Sequence, residues 1–287
     1  MTATPFSLRI FVADGDPDGL RIIERSNWVG RALVFPRSAW AQPSVASRSE
    51  LQQTGVYLLM GPREDGEGEL LYIGEGDPIK PRLSAHHSGA AQKDFWTRAI
   101  CFVSMGQGLN KAHVQFLEAN LIRLAKQAKR VPLDNANQPA EPTLSEADRA
   151  DMQVFLQHML GMLPVLGLHA FEPPPEAPAA SAPELICKGK GVVARGYEAT
   201  QGFVVKAGSQ AMVRTVPSVP AGTLTMRQQL LALGVMVAQG NTYSFTQDYT
   251  FSSPSTAASV VLGRSANGRA EWKDAQGLSL KALQADA

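Results

Sequence analysis

Two short tripeptides, each with one tyrosine, constrain the fold of this 287-residue chain more than any other feature. Gly55-Val56-Tyr57 lies in one apolar run, and Tyr72-Ile73-Gly74 closes the next. Residues typical of turns stand between them, at Gly61-Pro62 and Asp65-Gly66-Glu67-Gly68. The pattern predicts a β-hairpin that carries one tyrosine on each arm. The predicted arms are Glu50–Met60 and Glu69–Gly74.

The residues after the second tyrosine predict a helix with two basic side chains on one face. Asp77 is a favourable N-cap residue, and Pro78 suits the first helical position. Arg82 and His86 are spaced i,i+4, so a helix turns them to the same side. The strand of Tyr72 therefore leads into a helix that presents a guanidinium and an imidazole together.

A strand at Phe95–Ser104 and a long amphipathic helix are predicted next. The helix begins after the cap residue Asn110 and ends near Arg130, with apolar residues repeating every three or four positions. Glu118 adjoins this apolar stripe. The loop that follows contains two asparagines, Asn135 and Asn137.

Six residues in this order could together hydrolyse a phosphodiester: Tyr57, Tyr72, Arg82, His86, Glu118 and Asn135. The reaction needs a hard cation, a group that deprotonates water, and positive charge for the transition state. Glu118 is an oxygen ligand suited to Mg²⁺ or Mn²⁺, and Arg82 can bind a phosphate through two hydrogen bonds. The pKa of a free tyrosine is about 10. A neighbouring cation would lower it, and Lys80 and the metal are the candidates.

Each of these residues has a plainer explanation when it is considered alone. A tyrosine on a strand commonly packs in a core, and a basic pair on a helix commonly faces solvent. Glu118 could form a salt bridge with Lys111 or Arg123, and Asn135 could be a turn residue. The agreement of the whole set in one order is what favours a site.

The order of tyrosine hairpin, arginine-bearing helix, strand, glutamate-bearing helix and asparagine loop resembles that of the GIY-YIG nucleases. Valine replaces isoleucine in the first tripeptide, and the resemblance covers about residues 55–135. It implies a small mixed β-sheet flanked by helices. It also implies one Mg²⁺ or Mn²⁺ ion held by Glu118.

The same resemblance implies roles for the other members of the set. Tyr57, or a water that it polarises, would start the attack, and which group acts as the base stays open. Tyr72, Arg82 and His86 would surround the phosphate. Asn135 is the asparagine assigned to the site, with the nearby Asn137 as the alternative.

The C-terminal part contains three recognisable runs: Phe245–Tyr249, Phe251–Pro254 and Gly263–Gly268. They resemble a domain of unknown function that is often appended to such nucleases. They are also similar to a domain associated with restriction enzymes and adenine methylases, which implies DNA binding. The alternative for Phe245, Phe251 and Trp272 is that they form a core. Ser253-Pro254 predicts the start of a helix to Leu262 that ends at Gly263, and Asn267-Gly268 predicts a hairpin turn with Trp272 on the returning strand.

The chain is therefore expected to be α+β, with two main domains. The predicted parts are an N-terminal β extension (1–50), a nuclease-like domain (51–170), a Pro/Ala-rich linker (171–184) and a C-terminal α+β DNA-recognition domain (185–287).

Composition limits the partners and the cellular compartment that the sequence predicts. The net charge of +1 does not by itself indicate a nucleic-acid partner, so local charge must do so. Two distant cysteines, Cys101 and Cys187, are typical of a reduced, cytoplasmic protein. No apolar run is long enough for a membrane helix, so no membrane partner is expected.

These observations predict a metal-dependent DNA endonuclease related to restriction or defence, with RNA left open as a substrate. A DNA-binding or regulatory protein that keeps the fold without cleaving is one alternative. A structure-specific nuclease of repair or of mobile elements is the other.

Overall fold

The computed structural model describes residues 5–63, 68–173 and 183–285. Its architecture is α+β, as predicted, with several antiparallel sheets and helices. The predicted turn residues 65–67 and most of the predicted linker 171–184 lie outside the described residues. No helix in the described parts of the chain is long and apolar enough to cross a membrane.

The chain divides into two compact units, which are described separately below. The first comprises Met1–Gln127 and Val131–Phe171, and the second comprises Ala128–Arg130 and Glu172–Ala287.

The first unit is built on a six-stranded sheet in the order β1-β2-β3-β6-β4-β5, with every neighbouring pair antiparallel. The strands are β1 Leu8–Val12, β2 Arg21–Arg25, β3 Gly30–Pro36, β4 Gly55–Pro62, β5 Glu69–Gly76 and β6 Arg98–Ser104. Beside these antiparallel pairs, an isolated parallel bridge joins Leu71 of β5 to Leu133. Because β3 pairs with β6, the N-terminal strands and the tyrosine hairpin share one sheet.

The helices of the first unit are α1 Pro43–Ala46, α2 Ile79–Ser88, α3 Lys111–Ala128 and α4 Glu146–Met162. Alternate residues of β4 enter two separate cores, as the period of a strand requires. Leu58 packs in the core that contains residues of α3 and α4, whereas Leu59 packs in the core that contains Ile79 and Leu83 of α2. The sheet thus has α2 on one face and α3 with α4 on the other.

Two helix caps were predicted in this unit, of which the cap at Asn110 is confirmed and the cap at Asp77 is wrong. Asn110 caps α3, because its Oδ1 accepts a hydrogen bond from the His113 N–H at 2.9 Å. Asp77 was expected to cap α2, but it accepts a hydrogen bond from the Thr54 hydroxyl instead, and Pro78 is the N-cap residue. The first hairpin arm begins at Gly55 rather than Glu50, because Ser49–Gln52 forms a 3₁₀ helix.

The second unit contains two antiparallel sheets, in the orders β13-β9-β8-β7 and β10-β12-β11. The strands are β7 Leu185–Gly189, β8 Val192–Ala199, β9 Gly202–Val205, β10 Gln210–Met212, β11 Met236–Gln239, β12 Thr242–Phe245 and β13 Tyr249–Phe251. The helices are α5 Ala221–Ala232, α6 Pro254–Leu262, α7 Gly268–Glu271 and α8 Leu280–Leu283.

Phe245, Phe251 and Trp272 are buried in the core of this unit, which confirms the plainer of the two explanations for them. The ends of α6 are as predicted: Ser253 caps its first turn, and Gly263 follows it in the left-handed conformation with φ 65°. The predicted hairpin turn at Asn267-Gly268 is wrong. Asn267 accepts a hydrogen bond from the Arg269 N–H and caps α7, and the buried Trp272 follows that helix.

Candidate functional site

The site is organised around β5, which is an edge strand of the first sheet. Its outward-facing backbone groups are bound by the loop after α3. The Leu71 N–H donates to the Pro132 carbonyl at 3.1 Å, and the Asp134 N–H donates to the Leu71 carbonyl at 2.8 Å. Asn135 accepts from the Ile73 N–H at 3.0 Å and donates to the Ile73 carbonyl at 2.7 Å.

This pairing gives Asn135 a positioning role. Both ends of its amide bind the backbone next to Tyr72, so Asn135 holds β5 in place, and it also lines the cleft described below. Asn137, the alternative in the sequence, is exposed and lines the cleft described below.

The glycines of the two tripeptides permit close approaches. Tyr57 lies opposite Gly74 in the β4–β5 register, and a Cβ at position 74 would lie 2.5 Å from the Tyr57 Cζ and Oη. A Cβ at position 55 would collide with the Phe102 carbonyl. Gly74 therefore makes room for the Tyr57 ring, which lies 6.3 Å from the Tyr72 ring.

The two residues of α2 that were predicted to share a face both contact Tyr57. The Tyr57 Oη lies 2.9 Å from the His86 Nε2, and the His86 Nδ1 lies 2.9 Å from the Ala91 carbonyl. Because a carbonyl only accepts, Nδ1 carries the proton, and Nε2 accepts from the Tyr57 hydroxyl. The charge interaction with Tyr57 raises the pKa of Arg82 although burial opposes the shift, which indicates that the guanidinium lies beside the Tyr57 side chain.

Burial and a neighbouring cation act on the pKa of Tyr57 in opposite directions. Its side chain is fully buried, and burial, with a smaller contribution from Tyr72, raises its pKa well above the ordinary value despite the opposing charge of Arg82. Lys80 is not the cation that acts on Tyr57, because its Nζ donates to the Ala46 carbonyl at 2.6 Å. Burial therefore favours the protonated form of the Tyr57 hydroxyl.

His86 is also buried, and burial lowers the pKa of its imidazole, with Lys93 and Arg82 adding to the effect. A lowered pKa keeps the ring neutral near pH 7, so that Nε2 remains able to take up a proton.

Glu118 lies on α3 with a half-buried side chain. Burial and, next, the charge of Glu75 raise its pKa from 4.5 to about 7, although Arg82 and Lys111 oppose the shift. Glu118 does not form the alternative salt bridge with Lys111 or with Arg123, because both cations bind other residues. Lys111 binds Glu75, with Nζ 2.5 Å from Oε1, and Arg123 donates to Asn120 and Gln127.

A cleft of about 340 Å³ joins Tyr72 to Glu118. Lys93 also lines it, with Nζ 2.5 Å from the Asp134 Oδ2 and 4.1 Å from the centre of the Tyr72 ring. Sequence reasoning missed Lys93, since it lies in a loop with no local motif and meets Asp134 only through the fold. It brings a second positive charge to the cleft.

The carboxylates fit a hard divalent cation. Glu75 and Glu118 are close enough to repel, and the Glu75 Oε2 is buried without a hydrogen-bond partner among the described residues. A bound cation would reduce the repulsion between the two carboxylates and would give the Glu75 Oε2 a positively charged partner. No group of three or more His, Cys, Asp or Glu side chains that could hold a metal occurs in the described ranges. Mg²⁺ can keep several waters and few protein ligands, so one or two carboxylates suit it.

The fold and site define an α+β protein with a polar cluster at one sheet edge. Residues 185–284 match the family model described as Domain of unknown function (DUF4357), a match that lies within the second unit. Comparison with curated proteins and with solved structures finds no match.

Proposed function

We propose that this protein is a metal-dependent endonuclease of the GIY-YIG type that hydrolyses phosphodiester bonds in DNA. The observation that supports it best is the hydrogen bond between the buried Tyr57 and His86, with Arg82 next to Tyr57, beside a cleft shared by Tyr72 and Glu118.

Glu118 would hold the Mg²⁺ or Mn²⁺ ion. When bound, such an ion polarises a phosphate oxygen and offsets the negative charge of the transition state.

Arg82 would both bind the phosphate and control access to Tyr57. Arg82 is exposed, yet its guanidinium lies close enough to the buried Tyr57 for its positive charge to oppose the rise in the tyrosine pKa. A phosphate that draws Arg82 toward itself would free the accepting side of the Tyr57 oxygen for the attacking water. Substrate binding would therefore open the path to the base.

Tyr57 would then act with His86 rather than as a free tyrosinate. As the Tyr57 oxygen takes a proton from water, its own proton passes to the His86 Nε2, while Nδ1–H stays on the Ala91 carbonyl. The water oxygen forms a bond to phosphorus, and the bond from phosphorus to the departing ester oxygen breaks. That oxygen takes up a proton from the solvent in the cleft.

The second unit would supply DNA affinity. Residues 185–287 contain ten Lys and Arg against five Asp and Glu, a balance of +5. Several of these cations are engaged: Arg227 binds the Val260 and Met212 carbonyls, and Arg264 pairs with Glu271. Lys188 and Lys273 line a groove of about 270 Å³ in this unit, but Glu271 and Asp274 line it too, so the excess positive charge must bind phosphates from other surface positions.

The function is tested by incubating the purified protein with supercoiled plasmid, with and without Mg²⁺ or Mn²⁺, on methylated and unmethylated DNA. We expect nicked or linear product only with the metal. Glu118→Ala should abolish cleavage while DNA binding persists, and Glu69→Ala, an exposed glutamate on the same sheet, should cleave like the wild type. Metal-dependent cleavage by Glu118→Ala would refute the assignment. DNA binding without any cleavage by the wild type would favour the non-cleaving alternative.

A further inference from the structure

Glu75 lies beside the site but has no place in the set predicted from sequence. It directly follows Tyr72-Ile73-Gly74 on β5. Since side chains alternate along a strand, Glu75 lies on the same face as Ile73, which packs in the core with residues of α3. Glu118 is carried by that helix.

The two oxygens of Glu75 have different surroundings. Oε1 accepts a hydrogen bond from the Lys111 Nζ at 2.5 Å, whereas Oε2 is buried and has no partner in the described parts of the chain. Lys111 lies on α3 about two turns before Glu118, so its hydrogen bond holds the Glu75 carboxylate against the helix that carries Glu118. A carboxylate oxygen buried without a partner is unfavourable, unless something positive binds it.

We propose that Glu75 is a second protein ligand of the divalent cation held by Glu118, and that Lys111 orients its carboxylate. This inference rests on the proposed function. Hard cations take carboxylate oxygens, and their affinity rises with the number of charged ligands. A hydrogen bond to the other oxygen of a ligating carboxylate fixes its direction, and Lys111 makes that bond.

The proposal is tested by titrating the full-length protein with Mn²⁺ and following the free-ion signal by electron paramagnetic resonance, which needs no substrate. We expect Glu75→Gln to weaken binding roughly 10- to 100-fold, and Glu118→Gln to weaken it at least as much. Glu69→Gln, on the same strand, should bind as the wild type does. Lys111→Met breaks the ion pair but leaves the Glu75 carboxylate, so it should bind more tightly than Glu75→Gln.

The outcomes separate this proposal from the proposed function. Unchanged Mn²⁺ affinity in Glu75→Gln, or equal weakening in Lys111→Met, overturns the role of Glu75. In either case, loss of Mn²⁺ binding and of cleavage in Glu118→Gln would leave the proposed function standing. No Mn²⁺ binding by the wild type overturns both. If Glu75→Gln fails to fold by circular dichroism, Glu75→Asp takes its place, and wild-type affinity in that shorter variant counts against the proposal.

Discussion

Replacing Glu118 with glutamine should make the metal-free protein more stable at alkaline pH, because the native carboxylate is held where its charge is unfavourable. Burial and Glu75 raise the pKa of Glu118 from 4.5 to about 7. When folding raises the pKa of a carboxyl group, the protonated group favours the folded state at a pH below the pKa of the unfolded state. This contribution is lost as the pH rises through the pKa of the folded state. Above about pH 7 the wild type therefore carries a penalty that the neutral glutamine lacks.

The size of the effect follows from the same shift. At ~1.4 kcal/mol per pH unit, the rise from 4.5 to about 7 corresponds to at most about 3 kcal/mol. Glu118 is only half-buried, and solvent screening reduces this to about 1–2 kcal/mol. For a unit of this size the melting temperature should rise by roughly 2–8 °C.

The assay is thermal unfolding in a chelator, followed by circular dichroism across a range of pH. The difference between Glu118→Gln and wild type should be largest at about pH 8.5 and shrink toward zero near pH 4. Glu69→Gln serves as the control, since it removes an exposed carboxylate from the same sheet. An equal or lower melting temperature for Glu118→Gln at about pH 8.5 would refute the reasoning.

Three further outcomes follow from the structure. Tyr57→Phe should lower the cleavage rate by roughly 10²-fold while DNA binding persists, and Tyr243→Phe should not; a Tyr57→Phe variant that only melts earlier would show a structural role. Gly74→Ala should displace the Tyr57 ring, lower stability by roughly 1–3 kcal/mol in urea titrations and reduce cleavage; wild-type behaviour in both would contradict the close contact. The isolated fragment 185–287 should unfold cooperatively and bind duplex DNA, with log K falling by ~0.9 per phosphate contact against log salt; a folded fragment that does not bind at low salt would indicate a different partner.

What could be predicted from sequence depended on how local the signal was. Asn110 and Ser253 were found as helix caps because a cap bonds to residues three positions away. The prediction at Asn267 was wrong because an asparagine before glycine suits both a tight hairpin turn and the start of a helix. Which of the two forms depends on the packing of the surrounding segments.

Within the candidate site, the identities could be predicted but not the contacts. Arg82 and His86 share a helix face, so their joint approach to Tyr57 follows from the i,i+4 spacing. The unpaired oxygen of Glu75 and the approach of Lys93 to Tyr72 depend on packing between distant segments, which no short pattern encodes. The burial that raises the pKa of Tyr57 is likewise a product of the whole sheet and α2.

The loop that pairs with the outer edge of β5 also affects self-association. An unpaired edge strand is a template on which another chain can extend a sheet, and proteins protect such edges by covering them or by placing charge there. Here the outer side of β5 is occupied by Asn135 and by the backbone at Pro132 and Asp134. Substitutions at Asn135 would therefore expose backbone hydrogen-bonding groups of β5 to a neighbouring molecule. Aggregation in the cell would then be an early effect of such a substitution.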